Sequence, residues 1–503
     1  MNSLQHFPLG TPFPSSPHAV ASSLPTMADV RAYEEKDPRV VEAMASGYPR
    51  FVVHVYVRDL IAYYIEREGL AGRGGVLVPS RRAAQELVDY TGGKVLSLEV
   101  EDGLYFVYYN REAVELSEMV RKYVQHVGCG ISSRQAEDLL LSCGKLKQVH
   151  AESSFTGNAP AEVERQFAEL CGCRSADVLV CASGMNAFYA GFRAVQEFQR
   201  SRGRKRWLQL GWLYLDSGCI LKEFLGDDES LEYCYDVNDL AALLDAIAAA
   251  GESLAGVVVE CPTNPLVQLC DLKRVSEMVR AAGGVLIVDP TIASVYNMYV
   301  LRYADLLVSS LTKYACYVGD VMIGALALNP DSPFYGDLVL RTSAFHLPPY
   351  RRDLARLADE MQTAPEIVAQ LNANAARLAE YLNRHPAVKR VHWAAGSPHF
   401  TDLAKTPSSC GAMVSIELNG AIEPFYDSIR AMKGPSFGTQ FTLLSPFMYL
   451  AHYDLVTSDS GRTFLREVGI APELIRISVG LEPYAEIEAA FDEALSTVLV
   501  DEV

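Results

Sequence analysis

Four short stretches of this sequence hold residues suited to chemistry, and each follows an apolar run. The first is Ala182-Ser183-Gly184-Met185-Asn186. A glycine between a strand and a helix lets backbone N–H groups converge on an anion such as a phosphate, at the end of the helix dipole that favours negative charge. The second is Glu260-Cys261-Pro262-Thr263-Asn264-Pro265, where two prolines fix a turn and the amide of Asn264 can bond a ring hydroxyl. The third is Val288-Asp289-Pro290. A carboxylate at the end of a buried run is costly unless it meets a positive partner, such as a protonated ring nitrogen. The fourth is Val308-Ser309-Ser310-Leu311-Thr312-Lys313-Tyr314. Ser310 and Thr312 offer hydroxyls to a phosphate, and Lys313 offers an amine that can condense with an aldehyde. Read singly, each stretch has an ordinary explanation: a glycine turn, a turn asparagine, a helix N-cap and a solvent lysine.

Their order carries more than any one of them. A phosphate turn, a ring-contacting Asn, an acid and a lysine follow one another, each at the C-terminal end of a strand, where ligands of α/β sheets collect. That set is what a pyridoxal 5'-phosphate (PLP) site requires. The stretches resemble those of the cysteine/methionine-metabolism PLP enzymes, the group of the cystathionine γ-synthases, cystathionine γ- and β-lyases and methionine γ-lyases. That family's SGM, ESPTNP, VDNTFAS and SATKY motifs are similar to Ser183–Met185, Glu260–Pro265, Val288–Ser294 and Ser310–Tyr314. Its LVRLSVG and SLGG segments are similar to Leu474–Gly480 and Ser436–Thr439.

The resemblance covers about residues 155–495 and implies a PLP-dependent transferase of fold type I, aspartate-aminotransferase-like. That means an α/β fold with a mostly parallel seven-stranded sheet, a smaller C-terminal α+β domain and, here, an extra N-terminal α/β module. It implies PLP on Lys313, a ring-stacking Tyr214 that also moves protons, and Arg476 holding the substrate α-carboxylate next to Ser436. It further implies amino-acid substrates, a homo-oligomer and a cytoplasmic location. Gly47-Tyr48-Pro49-Arg50-Phe51, Pro79–Arg82 and Gly130–Arg134 look like the long fungal-type cystathionine γ-synthases. The implied reaction is γ-replacement on an O-acyl-L-homoserine by the thiolate of cysteine. A C–S lyase, an O-acylhomoserine sulfhydrylase and a catalytically silent regulatory homologue are the alternatives. The chain departs from the family at Ser153–Asn158, which lacks the Tyr and Arg that usually reach the phosphate. Tyr48, Arg50 and Arg134 are the candidates to replace them.

The elements that must position these residues are legible as periodicity. Residues 1–50 read as an extended, irregular arm able to wrap a neighbouring subunit. Residues 51–150 read as a small accessory α/β module, with a helix at Val55–Arg67, strands near Gly75–Val78, Lys94–Val100 and Leu104–Tyr108, and helices at Arg111–Val127 and Ser132–Leu141. Residues 151–345, the PLP-binding domain, alternate helix and strand, with strands at Asp177–Cys181, Leu254–Glu260, Gly284–Val288 and Asp305–Ser309. That alternation means a mostly parallel sheet covered on both faces. Residues 346–503 read as the smaller domain, opening with one long helix, Tyr350–His385, before strands at Val388–Trp393, Ala412–Leu418 and Leu474–Val479.

Composition excludes other classes. With 44 Lys+Arg against 62 Asp+Glu the formal charge is −18, which disfavours nucleic acid and anionic membranes as partners. No apolar run nears the roughly 18 residues that span a bilayer. Met1–Pro25 has no basic segment followed by an apolar one, so no secretory signal is expected. The 11 cysteines are odd in number and lack paired clusters, which points to reduced thiols and away from a zinc site.

Overall fold

The computed structural model describes residues 3–48 and 52–498. Its strands are β1 Pro12–Phe13 and β2 Ala21–Ser22; β3 Arg73–Val78, β4 Leu96–Glu101 and β5 Leu104–Asn110; β6 Val178–Cys181, β7 Arg206–Leu210, β8 Ser230–Cys234, β9 Leu254–Glu260, β10 Val285–Asp289, β11 Leu306–Ser310 and β12 Gly324–Leu328; and β13 Val388–Trp393, β14 Met413–Leu418, β15 Met432–Lys433, β16 Leu443–Pro446 and β17 Ile475–Ser478. The large sheet has seven strands in the order β6-β12-β11-β10-β9-β7-β8. Only β12 runs antiparallel to its neighbours, so the sheet is mostly parallel, as the alternation predicts. Every residue of β9 is buried, and so are four of the five in β10 and in β11. Continuous apolar strands of this kind fit a sheet packed on both faces.

The helix Gly184–Ser201 follows β6, with Ser183 as N-cap accepting from Asn186 N at 3.0 Å. It lies close on β11: a Cβ on Gly184 would stand 2.8 Å from Ser310 Cβ, so only glycine lets the phosphate turn approach that strand. The C-terminal sheet, β13-β14-β17-β16-β15, places Arg476 of β17 between Ser415 and Ser445 in register. The three-stranded sheet β3-β5-β4 and the helices Val55–Arg67, Val114–Val127 and Ser133–Ser142 match the elements expected in residues 51–150.

Two expectations are corrected. The stretch read as one helix, Tyr350–His385, is two, Arg351–Met361 and Ala364–Leu382. Pro365 has no N–H to give, and its ring would clash with the carbonyl four residues earlier, so the polar periodicity continues across a real break. The N-terminal arm is not irregular throughout. Met27–Glu34 and Pro38–Ala43 are helical and lie on the same chain, with Met27, Val30 and Tyr33 in one core with Phe425, Tyr426 and Leu444.

A buried ion network ties the N-terminal module to the chain that follows Lys313. Arg134, 1% exposed, donates to both carboxylate oxygens of Glu152 at 2.9 and 2.7 Å, to Asp353 Oδ1 at 3.1 Å and to the carbonyl of Asp320 at 2.7 Å. Arg356 adds contacts of 3.3 Å to Asp320 and 3.2 Å to Glu360. Arg134 is therefore spent on carboxylates, which corrects its candidacy as a phosphate ligand. Arg134→Leu leaves buried Asp353 without its cation, while Glu152 and Asp320 keep Arg352 and Arg356, and is expected to destabilise the protein by about 3–5 kcal/mol. Urea denaturation of the two proteins checks this.

Candidate active site

The C-terminal ends of β6, β9, β10 and β11 meet the loop before β16 and the end of β17 around one cavity of about 340 Å3. Tyr48, Ser183, Gly184, Met185, Tyr214, Asn264, Asp289, Ser310, Thr312, Lys313, Ser436 and Arg476 all line it. The sequence-derived candidates thus converge, although they span more than 400 positions. Arg50 lies outside the described residues.

Lys313 is half-buried. Its Nζ donates to the Tyr48 hydroxyl at 2.6 Å and to Ser436 Oγ at 3.5 Å, and lies 4.8 Å from the centre of the Phe437 ring. Burial, with the positive charge of Arg476 nearby, lowers its pKa to about 7, so a neutral amine is within reach near neutral pH. Arg476 is buried, which lowers its pKa to about 10 and leaves it charged. It donates to Asn264 Oδ1 at 3.0 Å and to the carbonyl of Ser436 at 3.3 Å, and packs against Phe437 and Phe447. Ser436 has φ +132°, a backbone region that side chains avoid, and strain of this kind collects at functional sites.

Asp289 ends β10 and is held above its ordinary pKa by burial, while the N–H (2.8 Å) and the hydroxyl of Thr291 bond it and favour the ionised form. The sequence reading gave Glu260 no role. It stands in register beside Asp289 on β9, and burial together with that neighbouring carboxylate raises its pKa well above the usual range. Its Oε1 accepts from the N–H of Tyr214 at 2.5 Å, which fixes the start of the helix Leu215–Phe224. Two adjacent parallel strands that both end in an acid are the signal that could have flagged Glu260. Thr312 is less open than expected, because its hydroxyl bonds the backbone of Ile323 in both directions, at 3.1 and 3.3 Å. The stretch that lacks the family's Tyr and Arg is tied down by Arg356 on Ser153 Oγ at 2.7 Å and ends as a helix N-cap at Asn158.

The pattern of the Cys/Met metabolism PLP-dependent enzymes matches residues 147–496. The chain belongs to this family. Family membership makes PLP the cofactor, and the residues present fit it. The side-chain-free Gly184 lets the helix N-terminus close on Ser310, whose hydroxyl lines the cavity, a half-buried acid stands at Asp289, and a half-buried amine stands at Lys313. Over its whole length the chain is similar to an L-2-amino-4-chloropent-4-enoate dechlorinase/desaturase of Streptantibioticus cattleyicolor, 36% identical over 96% of this chain and 97% of that protein. It is similar to a cystathionine gamma-synthase of Neurospora crassa, 27% identical over 97% and 98% of the two chains. Among solved structures it resembles the cystathionine gamma synthase of Xanthomonas oryzae pv. oryzae in complex with aminoacrylate and cysteine, with TM-score 0.57, 25% identity and coverage of 68% and 86%. The enzyme is thus of the family's γ-synthase/lyase type. Among the described residues no helix is long and apolar enough to cross a membrane.

Proposed function

We propose that this enzyme expels a substituent from Cγ of an L-α-amino acid, and that its first substrate class carries a small leaving group on a compact apolar side chain, such as a vinylic γ-chloride. The pairing of a half-buried amine, Lys313, with a buried fork, Arg476, in one cavity carries the reaction class. The full-length relative in S. cattleyicolor supports the substrate class. So does the cavity wall: Val57, Ile61, Leu77, Val124 and Ile131 line it from outside the family-matched segment and offer an apolar surface beyond Lys313.

When bound, PLP supplies an electron sink for negative charge at Cα. The chain's own residues do the rest. Arg476 fixes the α-carboxylate with two N–H groups, in a geometry that a fork matches better than a point charge. Lys313, neutral in part near pH 7, takes the proton from Cα. Asp289 would hold a proton at the ring nitrogen. Tyr214 would cover a ring face, and Asn264 would bond the ring hydroxyl. The N–H groups of Gly184 and Met185 and the hydroxyl of Ser310 would hold the phosphate at the helix N-terminus, with Ser183 capping that helix and Thr312 tied to Ile323. The apolar wall keeps water from the γ-position. The same reading carries over from the family a homo-oligomer that acts on amino-acid substrates.

A second reading is γ-replacement on an O-acyl-L-homoserine with cysteine. Arg121 favours it, because this exposed cation on the same cavity could pair with a second carboxylate. The N. crassa relative favours it too. The test is to supply 2-amino-4-chloropent-4-enoate and, separately, O-acetyl- and O-succinyl-homoserine, each with and without cysteine. Chloride release that does not depend on cysteine is the expected result. Cystathionine formed faster than any elimination product would replace the first reading with the second.

A further inference from the structure

A second cavity, of about 450 Å3, lies where the helix Val114–Val127 of the N-terminal module meets the helix Leu215–Phe224. Asp216, Cys219 and Glu223 recur at helical spacing on one face of the latter, and His126 faces them from the former. Asp216 is 2% exposed and His126 6%. A carboxylate buried this deeply calls for a cation. Yet among the described residues neither Asp216 nor Glu223 has a Lys or Arg within 4.0 Å. Lys36, Arg121, Lys122 and Lys222 border the cavity but are exposed. The cluster Cys316, Asp320 and Glu360 differs in this respect. Arg356 stands 3.3 Å from Asp320 and 3.2 Å from Glu360 and is its cation.

A ring nitrogen of His126, a carboxylate oxygen of Asp216 and Cys219 Sγ all lie within 4.8 Å of one another, and His126 Nε2 is 3.9 Å from Asp216 Oδ1. Ligands of a tetrahedral zinc stand roughly 3.3–3.8 Å apart, so side-chain movements of about 1 Å would close these three on an ion. The outer contacts are already made. His126 Nδ1 donates to Glu223 Oε2 at 2.6 Å, the Tyr90 hydroxyl bonds the same carboxylate, and Gln125 Nε2 donates to Asp216 Oδ1 at 2.9 Å. A carboxylate behind a histidine, with the other ring nitrogen left to the ion, is the arrangement that orients metal ligands. We propose that His126 Nε2, Asp216 and Cys219 bind one divalent transition metal of the zinc class, with the fourth position open to the cavity. A dication with one carboxylate and one thiolate is neutral, which suits a buried site. Binding sends the Cys219 thiol proton to water, and a second from Nε2 where that nitrogen carries one. The sequence reading pointed away from zinc because it sought paired cysteines; here a single cysteine is joined by a histidine from another helix. The helix that carries Asp216 and Cys219 starts directly after Tyr214, so the ion would pin the N-terminal module beside the cofactor site. The inference does not rest on the proposed γ-elimination.

The test titrates Co2+ into untagged holoenzyme that has been dialysed against a chelator, and reads difference spectra against the metal-free protein. The expected result is one Co2+ per chain, with d–d bands at longer wavelength than the cofactor absorbs and of the intensity that marks four-coordination. Zn2+ should displace it, release at least one proton per ion, and raise the midpoint of thermal unfolding. Cys219→Ser removes the soft ligand at the half-buried end of the cluster with little change in shape. It should lose the thiolate-to-cobalt charge-transfer absorption and bind at least about 10-fold more weakly. Glu223→Gln, which touches only the histidine, should weaken binding by about 10- to 100-fold and keep the charge-transfer absorption. Circular dichroism confirms that each variant is folded. Absence of stoichiometric uptake by the wild type would overturn the proposal and leave a protonated His126 as the cation of Asp216 and Glu223. Uptake that is the same in wild type and Cys219→Ser would also overturn it, because the ion would then sit elsewhere.

Discussion

Lys313→Ala is expected to reduce turnover by about 10⁴-fold or more, the largest effect of any single change in this protein. The upper end of general-base catalysis is about that size, and in the proposed scheme the same amine also anchors the cofactor. Nothing close by can replace it. Among the described residues lining the cavity the other basic side chains are Arg476, Arg121 and the histidines His18 and His54. The check has two parts. Turnover of the γ-substituted substrate is compared between the two proteins, and each is treated with borohydride after PLP is added. Wild type should yield a reduced adduct on the peptide that holds Lys313, and the variant none. A variant that kept a tenth of wild-type turnover would remove Lys313 from the mechanism.

Arg476→Ala should act mainly on KM. Its guanidinium is buried in β17 between aromatic rings and bonded to Asn264 and Ser436. Truncating one side of a buried, hydrogen-bonded charge pair costs about 2–5 kcal/mol, which is roughly 30- to 3,000-fold in kcat/KM. Arg476→Lys should recover only part of this, because an ammonium presents one point of charge where the fork presents two parallel donors. Steady-state kinetics on both variants decide it. A KM within threefold of wild type for Arg476→Ala would mean that the arginine does not hold the carboxylate.

Much of the candidate site was legible because it is local. The glycine turn before Asn186, the Asn264 turn, Asp289 and Lys313 each follow a short apolar run, and a run of that kind in an alternating chain marks the end of a buried strand. The strands β9, β10 and β11 were found within one residue of their limits for the same reason. The edge strand β8, its neighbour β7 and the antiparallel β12 were not found. The pattern of β8 is half-exposed and broken, and nothing local distinguishes a strand that runs backwards. The helix read across Gln362 and Thr363 failed because periodicity is blind to a proline that interrupts hydrogen bonding while keeping phase.

The sequence by itself determined the family, the cofactor and the order of the residues that meet it, because each rests on side-chain type and on spacing within a few positions. Only the tertiary structure decided what those residues touch. It set Tyr48 against Lys313, paired Glu260 with Asp289, spent Arg134 on three acids and walled the cavity with Val57, Ile61 and Leu77. Those contacts join parts of the chain that share no local pattern. They arise because burying apolar surface brings distant segments together, and the polar groups carried along must then find partners.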